Sequence, residues 1–138
     1  MRGAVIDEAG RILMVREVVD AGRWTLPGGW VDVNQTPAES VVREVREESG
    51  YEARVRKLVG VWDRARQGHP PLPFSIVKLF FLCMPTGGTA TTSQETSEVG
   101  WFGEDEIPAD LSLGRTLPHQ LRRMFAHWRD PALPTEYD

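Results

Sequence analysis

The sequence predicts an α+β domain, a mixed sheet carrying two main helices. Two segments place apolar residues at helical spacing, and several short apolar runs stand between Gly- and Pro-containing turns. The 138 residues suit one domain, 1–138, since two would each be undersized. Hydrophobic residues at 41% and charged residues at 26% match a soluble globular chain and argue against disorder.

From the N-terminus, Val5-Ile6-Asp7 and Ile12-Leu13-Met14-Val15 flank Glu8-Ala9-Gly10 and predict a hairpin. Val18 to Arg23 reads as a polar connection. Trp24-Thr25-Leu26 is a short strand broken by Pro27-Gly28-Gly29, and Trp30-Val31-Asp32-Val33 resumes it before Asn34. Thr36 is a natural N-cap, with Pro37 in the first helical position and Glu39 placed for a capping box. That helix should run to about Ser49, with Val41, Val42 and Val45 as its apolar stripe and Gly50 as its stop.

Tyr51 to Trp62 predicts one or two strands, and 64–73, with Gly68 and Pro70, Pro71 and Pro73, an ordered loop. Phe74 to Met84 is the most apolar strand, ending before a turn at Gly87-Gly88. Val99 to Phe102 is another, and Glu104-Asp105-Glu106 can open a helical turn. Leu117, Leu121, Met124, Phe125 and Trp128 then recur at helical spacing until Pro131 and Pro134 leave a tail at 131–138.

Composition narrows the chemistry. One cysteine, Cys83, cannot form an internal bridge, and with three His it offers no zinc spacing. The longest apolar run, Leu79 to Met84, is far shorter than a membrane span, and no signal-peptide pattern opens the chain, so a cytoplasmic location without membrane partners is expected. A net charge of −4 disfavours a grip on a nucleic acid polymer, which needs many Lys and Arg against phosphates. A small phosphorylated ligand is still compatible if a divalent cation stands between it and the carboxylates.

One segment is chemically unusual, Arg43-Glu44-Val45-Arg46-Glu47-Glu48-Ser49-Gly50-Tyr51. Helical spacing puts Glu44, Glu47 and Glu48 on one face, where like charges cost about 0.2–0.5 kcal/mol per pair. The ordinary account is a solvated face relieved by Arg43 and Arg46. Pro27-Gly28-Gly29 upstream favours another. Side-chain-free backbone lets a carbonyl or ligand approach, and a hard cation such as Mg²⁺ takes carboxylate and carbonyl oxygens.

Gly29, five residues, Gln35, seven residues, then Arg43 to Tyr51 resembles the box of the Nudix (MutT-like) family. That pattern is glycine, five residues, glutamate, seven residues, then Arg-Glu-U-x-Glu-Glu-x-Gly-U, with U a bulky aliphatic residue. Trp24 to Gly29 is similar to the family's lead-in and Val99-Gly100-Trp101-Phe102 to its late strand, so the resemblance covers most of the chain. Tyr51 fills the last U loosely, Asn34 replaces a common glycine, and Gln35 replaces the first glutamate. Glu39, four residues before Arg43, is the residue expected to supply the missing charge.

The resemblance implies the Nudix fold, an α/β/α sandwich with a mixed sheet between helices. It also implies hydrolysis of the diphosphate in a nucleoside diphosphate linked to another moiety, by water attack at phosphorus. It carries over Glu44, Glu47, Glu48 and the Gly29 carbonyl as ligands of Mg²⁺ or Mn²⁺, and Arg43 as their orienting group. Glu44 and Glu47 also enter the catalytic set, joined by a late glutamate, Glu98 in preference to Glu95. Arg23, Trp24, Arg64 and Phe74 are the candidates for substrate contact. Features from Trp62 to Phe81 resemble a bacterial subgroup acting on ADP-ribose-like and CDP-alcohol compounds, which often carries an extra N-terminal segment. The expected partner is a small nucleotide conjugate, and a homodimer is compatible. Two other outcomes are open at this point: a hydrolase that sanitises nucleoside triphosphates, and a binding module without catalysis, suggested by Gln35.

Overall fold

Alternation along the strands decides where the helices sit. In the computed structural model, which describes residues 1–138, β1 (Arg2–Val5) turns Ala4 to one face and Val5 to the other. β2 (Ile12–Glu17) divides Ile12 and Met14 from Leu13 in the same way. The larger core cluster lies under α2 (Pro118–Arg129), which contributes Leu121, Met124 and Phe125. The smaller lies under α1 (Pro37–Ser49), which contributes Val41 and Val45. Each helix therefore covers one face of the strands, the layered α+β arrangement expected from the sequence.

The strands form two sheets. β1, β5 (Val77–Gly88), β4 (Tyr51–Asp63) and β7 (Glu136–Tyr137) make one, in the order β1-β5-β4-β7. β3 (Arg23–Thr25), β2 and β6 (Thr96–Phe102) make the other, in the order β3-β2-β6. β1 runs parallel to β5, from Arg2 opposite Phe80 to Val5 opposite Cys83. The expected hairpin between the first two runs does not form. Both are buried on both faces; β1 pairs with β5 at the edge of one sheet while β2 lies between β3 and β6 in the other, and a lone bridge between Ile6 and Ile12 joins them.

Other boundaries differ for local reasons. Trp30 to Val33 is exposed coil rather than strand, because no neighbouring strand pairs with it. Asn34 follows with φ 64°, a left-handed conformation that asparagine tolerates and the reason it can stand in for a glycine. β5 starts at Val77 rather than Phe74, since Pro73 and the closure from Arg64 N to Ile76 O (2.9 Å) belong to the preceding loop. The loop is ordered as expected. His69 Nδ1 donates to Leu113 O at 2.7 Å, and its Nε2 meets Gln120 Nε2 at 3.1 Å. Nor are residues 131–138 simply a tail: β7 pairs with β4, and Glu136 accepts from Arg123 and His127.

The α1 start is the expected capping box. Thr36 Oγ1 accepts from Glu39 N at 3.2 Å and Glu39 accepts from Thr36 N at 2.9 Å. Gly50 ends the helix with φ 79°, a conformation costly for a residue with a Cβ. No helix is long and apolar enough to cross a membrane.

Candidate active site

The α1 face that carries the carboxylates lies against the Gly28-Gly29 turn. Gly28 N donates to Glu48 Oε2 at 2.8 Å. Gly28 has φ 154°, and a Cβ there would fall 2.2 Å from the Met1 carbonyl oxygen, so only glycine allows this approach. At Gly29 a Cβ would stand 3.2 Å from Glu44 Oε1, while its carbonyl accepts from the Met1 nitrogen at 2.7 Å.

A second segment completes the cluster. Ser93 Oγ accepts from Glu95 N (3.1 Å) and Thr96 N (3.2 Å), shaping the turn that carries Glu95. Glu95 O accepts from Val18 N at 2.9 Å, and Thr96 Oγ1 donates to Glu48 O at 2.6 Å. Thr91 N donates to Ser49 O at 2.8 Å, so the segment also satisfies carbonyls left open at the end of α1. Carboxylate oxygens of Glu44, Glu48 and Glu95 consequently lie within 4.8 Å of one another.

The electrostatics of this arrangement are unfavourable without a counter-charge. Burial pushes the Glu48 carboxyl up to about 8, against the Gly28 amide and the Arg2 guanidinium. Burial also raises Glu44, with Arg43 pulling it the other way. Two carboxylates about 4 Å apart repel by roughly 1–4 kcal/mol between water-like and surface-like dielectrics. A divalent cation reverses that balance, and an all-oxygen donor set of this kind fits a hard one.

Arg43 is fixed from four sides. Nε donates to Gln35 Oε1 (3.1 Å), Nη1 to Glu47 (2.9 Å), and Nη2 to Asp32 (2.7 Å) and Glu44 (3.2 Å). Gln35 thus keeps its hydrogen bond, and Asp32 rather than Glu39 brings the charge, because Glu39 is occupied in the capping box. A planar guanidinium with four acceptors is an orienting device that lysine cannot reproduce.

The carboxylates open into a cleft of about 330 Å³, whose lining includes Arg2, Glu17, Trp30 and Arg115. A neighbouring cleft of about 280 Å³ shares Arg2, Gly29, Trp30 and Arg115 and adds Arg64 and Lys78. The largest cleft, about 650 Å³, lies between α1 and β4 and lacks the converging carboxylates. The chemistry therefore points to the smaller pair.

Of the residues singled out in the sequence, Gly29, Glu44, Glu48 and Arg43 come together here. Glu47 is half-exposed, accepts from Arg43, and lines a small cleft with Glu48 and Glu95 beside the three-carboxylate cluster. Glu95 occupies the place expected of Glu98, which instead pairs with Arg16 at 3.0 Å across the β2–β6 ladder. Trp24 is buried in the core, edge-on to Phe102 with ring centroids 4.9 Å apart. Arg23 is exposed and paired with Asp20, and Phe74 is exposed and lines neither cleft. Arg64 is buried at the adjoining cleft. Asp32, Arg2, Trp30, Lys78 and Arg115 were missed. A lysine inside the apolar run Val77 to Met84 was the available signal, since buried lysine is rare without a purpose.

The family model described as NUDIX domain matches residues 2–124. A Bacillus subtilis protein with the provisional name ADP-ribose pyrophosphatase YjhB is 41% identical over 138 residues, covering 100% of this chain and 65% of that protein. A MutT-like protein of Streptomyces ambofaciens is 41% identical over 105 residues, 76% of this chain and 63% of its own length. The chain thus spans just under two-thirds of these curated relatives. A crystal structure of an ADP-ribose pyrophosphatase from Streptococcus suis superposes with a TM-score of 0.88 at 34% identity, covering 99% of this chain and 96% of that one.

Proposed function

This chain belongs to the Nudix family, and from that membership we propose that it is a divalent-metal-dependent pyrophosphohydrolase of a nucleoside diphosphate linked to a sugar-like moiety, of the ADP-ribose type. The observation that carries the reading is the cluster of Glu44, Glu48 and Glu95 against a Gly-Gly turn, with Arg43 holding one of the three. The names of the Bacillus subtilis and Streptococcus suis proteins support the substrate class.

Glu44, Glu48 and Glu95 would hold Mg²⁺ or Mn²⁺, with the Gly29 carbonyl nearby. When bound, such an ion neutralises the diphosphate and lowers the pKa of attacking water. The chain's own groups do the rest. Arg43 keeps Glu44 and Glu47 in fixed directions. Arg2 and Arg115 set positive charge along the cleft where the diphosphate enters. Glu95, exposed on its turn and in no ion pair, would accept the proton of the attacking water on the carboxylate oxygen not given to the ion. Trp30, 71% exposed at the rim of both clefts, offers a flat face to a base or sugar.

The test is product separation after incubating ADP-ribose, a CDP-alcohol and a nucleoside triphosphate with Mg²⁺ or Mn²⁺. ADP-ribose should yield AMP and ribose 5-phosphate. Pyrophosphate release from the triphosphate alone would transfer the chain to the sanitising class, and recovery of every compound intact would remove catalysis altogether.

A further inference from the structure

We propose that the cleft beside the carboxylates is a second anion site, which takes a phosphate group on the leaving moiety beyond the scissile diphosphate. The inference rests on the hydrolytic reading for its place in the reaction; of its cations, Arg64 and Lys78 belong to this cleft alone and Arg2 and Arg115 are shared with the carboxylate cleft.

Three cations, Arg2, Arg64 and Lys78, line this cleft and are each no more than 9% exposed. None of them forms an ion pair with a carboxylate. Their protein partners are neutral. Arg2 Nη1 donates to the carbonyls of Leu26 (3.0 Å) and Gly28 (3.2 Å), Arg64 Nη1 to that of Pro70, and Lys78 Nζ to that of Arg115. The Arg115 side chain adds a fourth cation at the same wall, matched by Asp20 at 3.3 Å and Glu17 at 3.7 Å.

Burying one unpaired charge is costly, and gathering several of one sign in a cleft costs more. Lys78 shows the strain: burial and the neighbouring Arg2, Arg64 and Arg115 pull its pKa down to about 7. Nearby His69 is no source of negative charge, for its Nδ1 hydrogen is committed to Leu113 O and its ring stays neutral, with a pKa pulled down to about 4 by burial and Lys78. A phosphate is the complement to such a wall, because guanidinium and ammonium donors are shared among several oxygens. A volume of about 280 Å³ admits a phosphate with part of a sugar. The shared residues Arg2, Gly29, Trp30 and Arg115 make this site continuous with the carboxylate cleft, so one molecule can reach both.

The deciding experiment has a binding arm and a turnover arm. Metal-free protein in EDTA is titrated with inorganic phosphate while the backbone amides of Lys78, Gly114 and Arg115 are followed by NMR. Turnover is compared between ADP-ribose and its analogue phosphorylated on the terminal ribose. Saturable shifts at those amides are expected, weakened at least tenfold by Lys78→Met and by Arg64→Gln. The phosphorylated analogue should be preferred at least tenfold in kcat/KM, a preference both variants abolish. Lys78→Met removes a buried charge while keeping an unbranched apolar stem, and the wild-type comparison decides even where a variant does not fold. Absence of phosphate binding, or equal turnover of the two substrates, overturns the proposal. Phosphate binding with neither substrate cleaved leaves the anion site standing and removes the hydrolytic reading instead.

Discussion

Glu48 offers the sharpest test of how the site is built. The residue is 3% exposed, and burial pushes its carboxyl up to about 8 from an ordinary value of 4.5. The folded chain therefore holds a proton that the unfolded chain has already released. The contribution of Glu48 to the stability of the metal-free protein thus falls as pH rises from 4.5 towards 8, at about 1.4 kcal/mol per pH unit, or about 5 kcal/mol over the whole window. Glu48→Gln keeps an acceptor for the Gly28 amide and removes the titration. Urea unfolding of both proteins in EDTA, at pH 5, 6, 7 and 8, measures the difference. Other titrating groups, Lys78 and His69 among them, are common to both proteins and cancel. The variant should gain on the wild type steadily with pH. Saturating Mn²⁺ at pH 8, at about 100 times its dissociation constant, should restore about 2.7 kcal/mol to the wild type and much less to the variant. A stability difference that is constant from pH 5 to 8 would refute the claim that burial of this carboxyl opposes its charge.

Four further outcomes follow from the same geometry. Arg43→Lys should weaken metal affinity about 10–100-fold, as losses of orienting partners do, because an ammonium cannot serve four acceptors in one plane; calorimetric titration with Mn²⁺ checks it. Gln35→Glu should change kcat/KM by less than about threefold, since Asp32 already gives Arg43 its charged partner and an exposed pair adds little. Glu95→Gln should lower kcat by about 10²-fold or more while Glu98→Gln stays within about threefold; a reversed order would place the proton acceptor on β6. Phe80→Ala should cost about 3–5 kcal/mol in urea unfolding, because that ring is wholly buried between Trp62 and the rest of the larger cluster.

Local chemistry was legible where one segment carried all of it. The α1 boundaries follow from Thr36, Pro37, Glu39 and Gly50, and the Glu44–Glu48 pair from helical spacing alone. Pairings between distant segments were not. Nothing in Val5 to Val15 says that its two runs part into different sheets, because that outcome depends on β5 and β6 arriving beside them. The same holds in the site. The resemblance favours Glu98 over Glu95, but the Ser93 turn and the strand register send Glu95 to the cluster and Glu98 to Arg16. Trp24 looked available because composition cannot tell a ring that packs on Phe102 from one left open, whereas Trp30 is open because the Gly28-Gly29 turn carries it out of the sheet.

The stretch that bears Glu95 is bolted to the far end of the helix it completes, through Thr91 to Ser49 and Thr96 to Glu48. It cannot swing aside as a gate while the rest of the pocket stays intact. Any breathing there uncaps the helix and disperses the oxygen cage in a single event, so ion occupancy and amide protection at Thr91 and Thr96 should rise and fall together. Lengthening that stretch by even a residue or two would then scatter the oxygen cage without touching one of its acids.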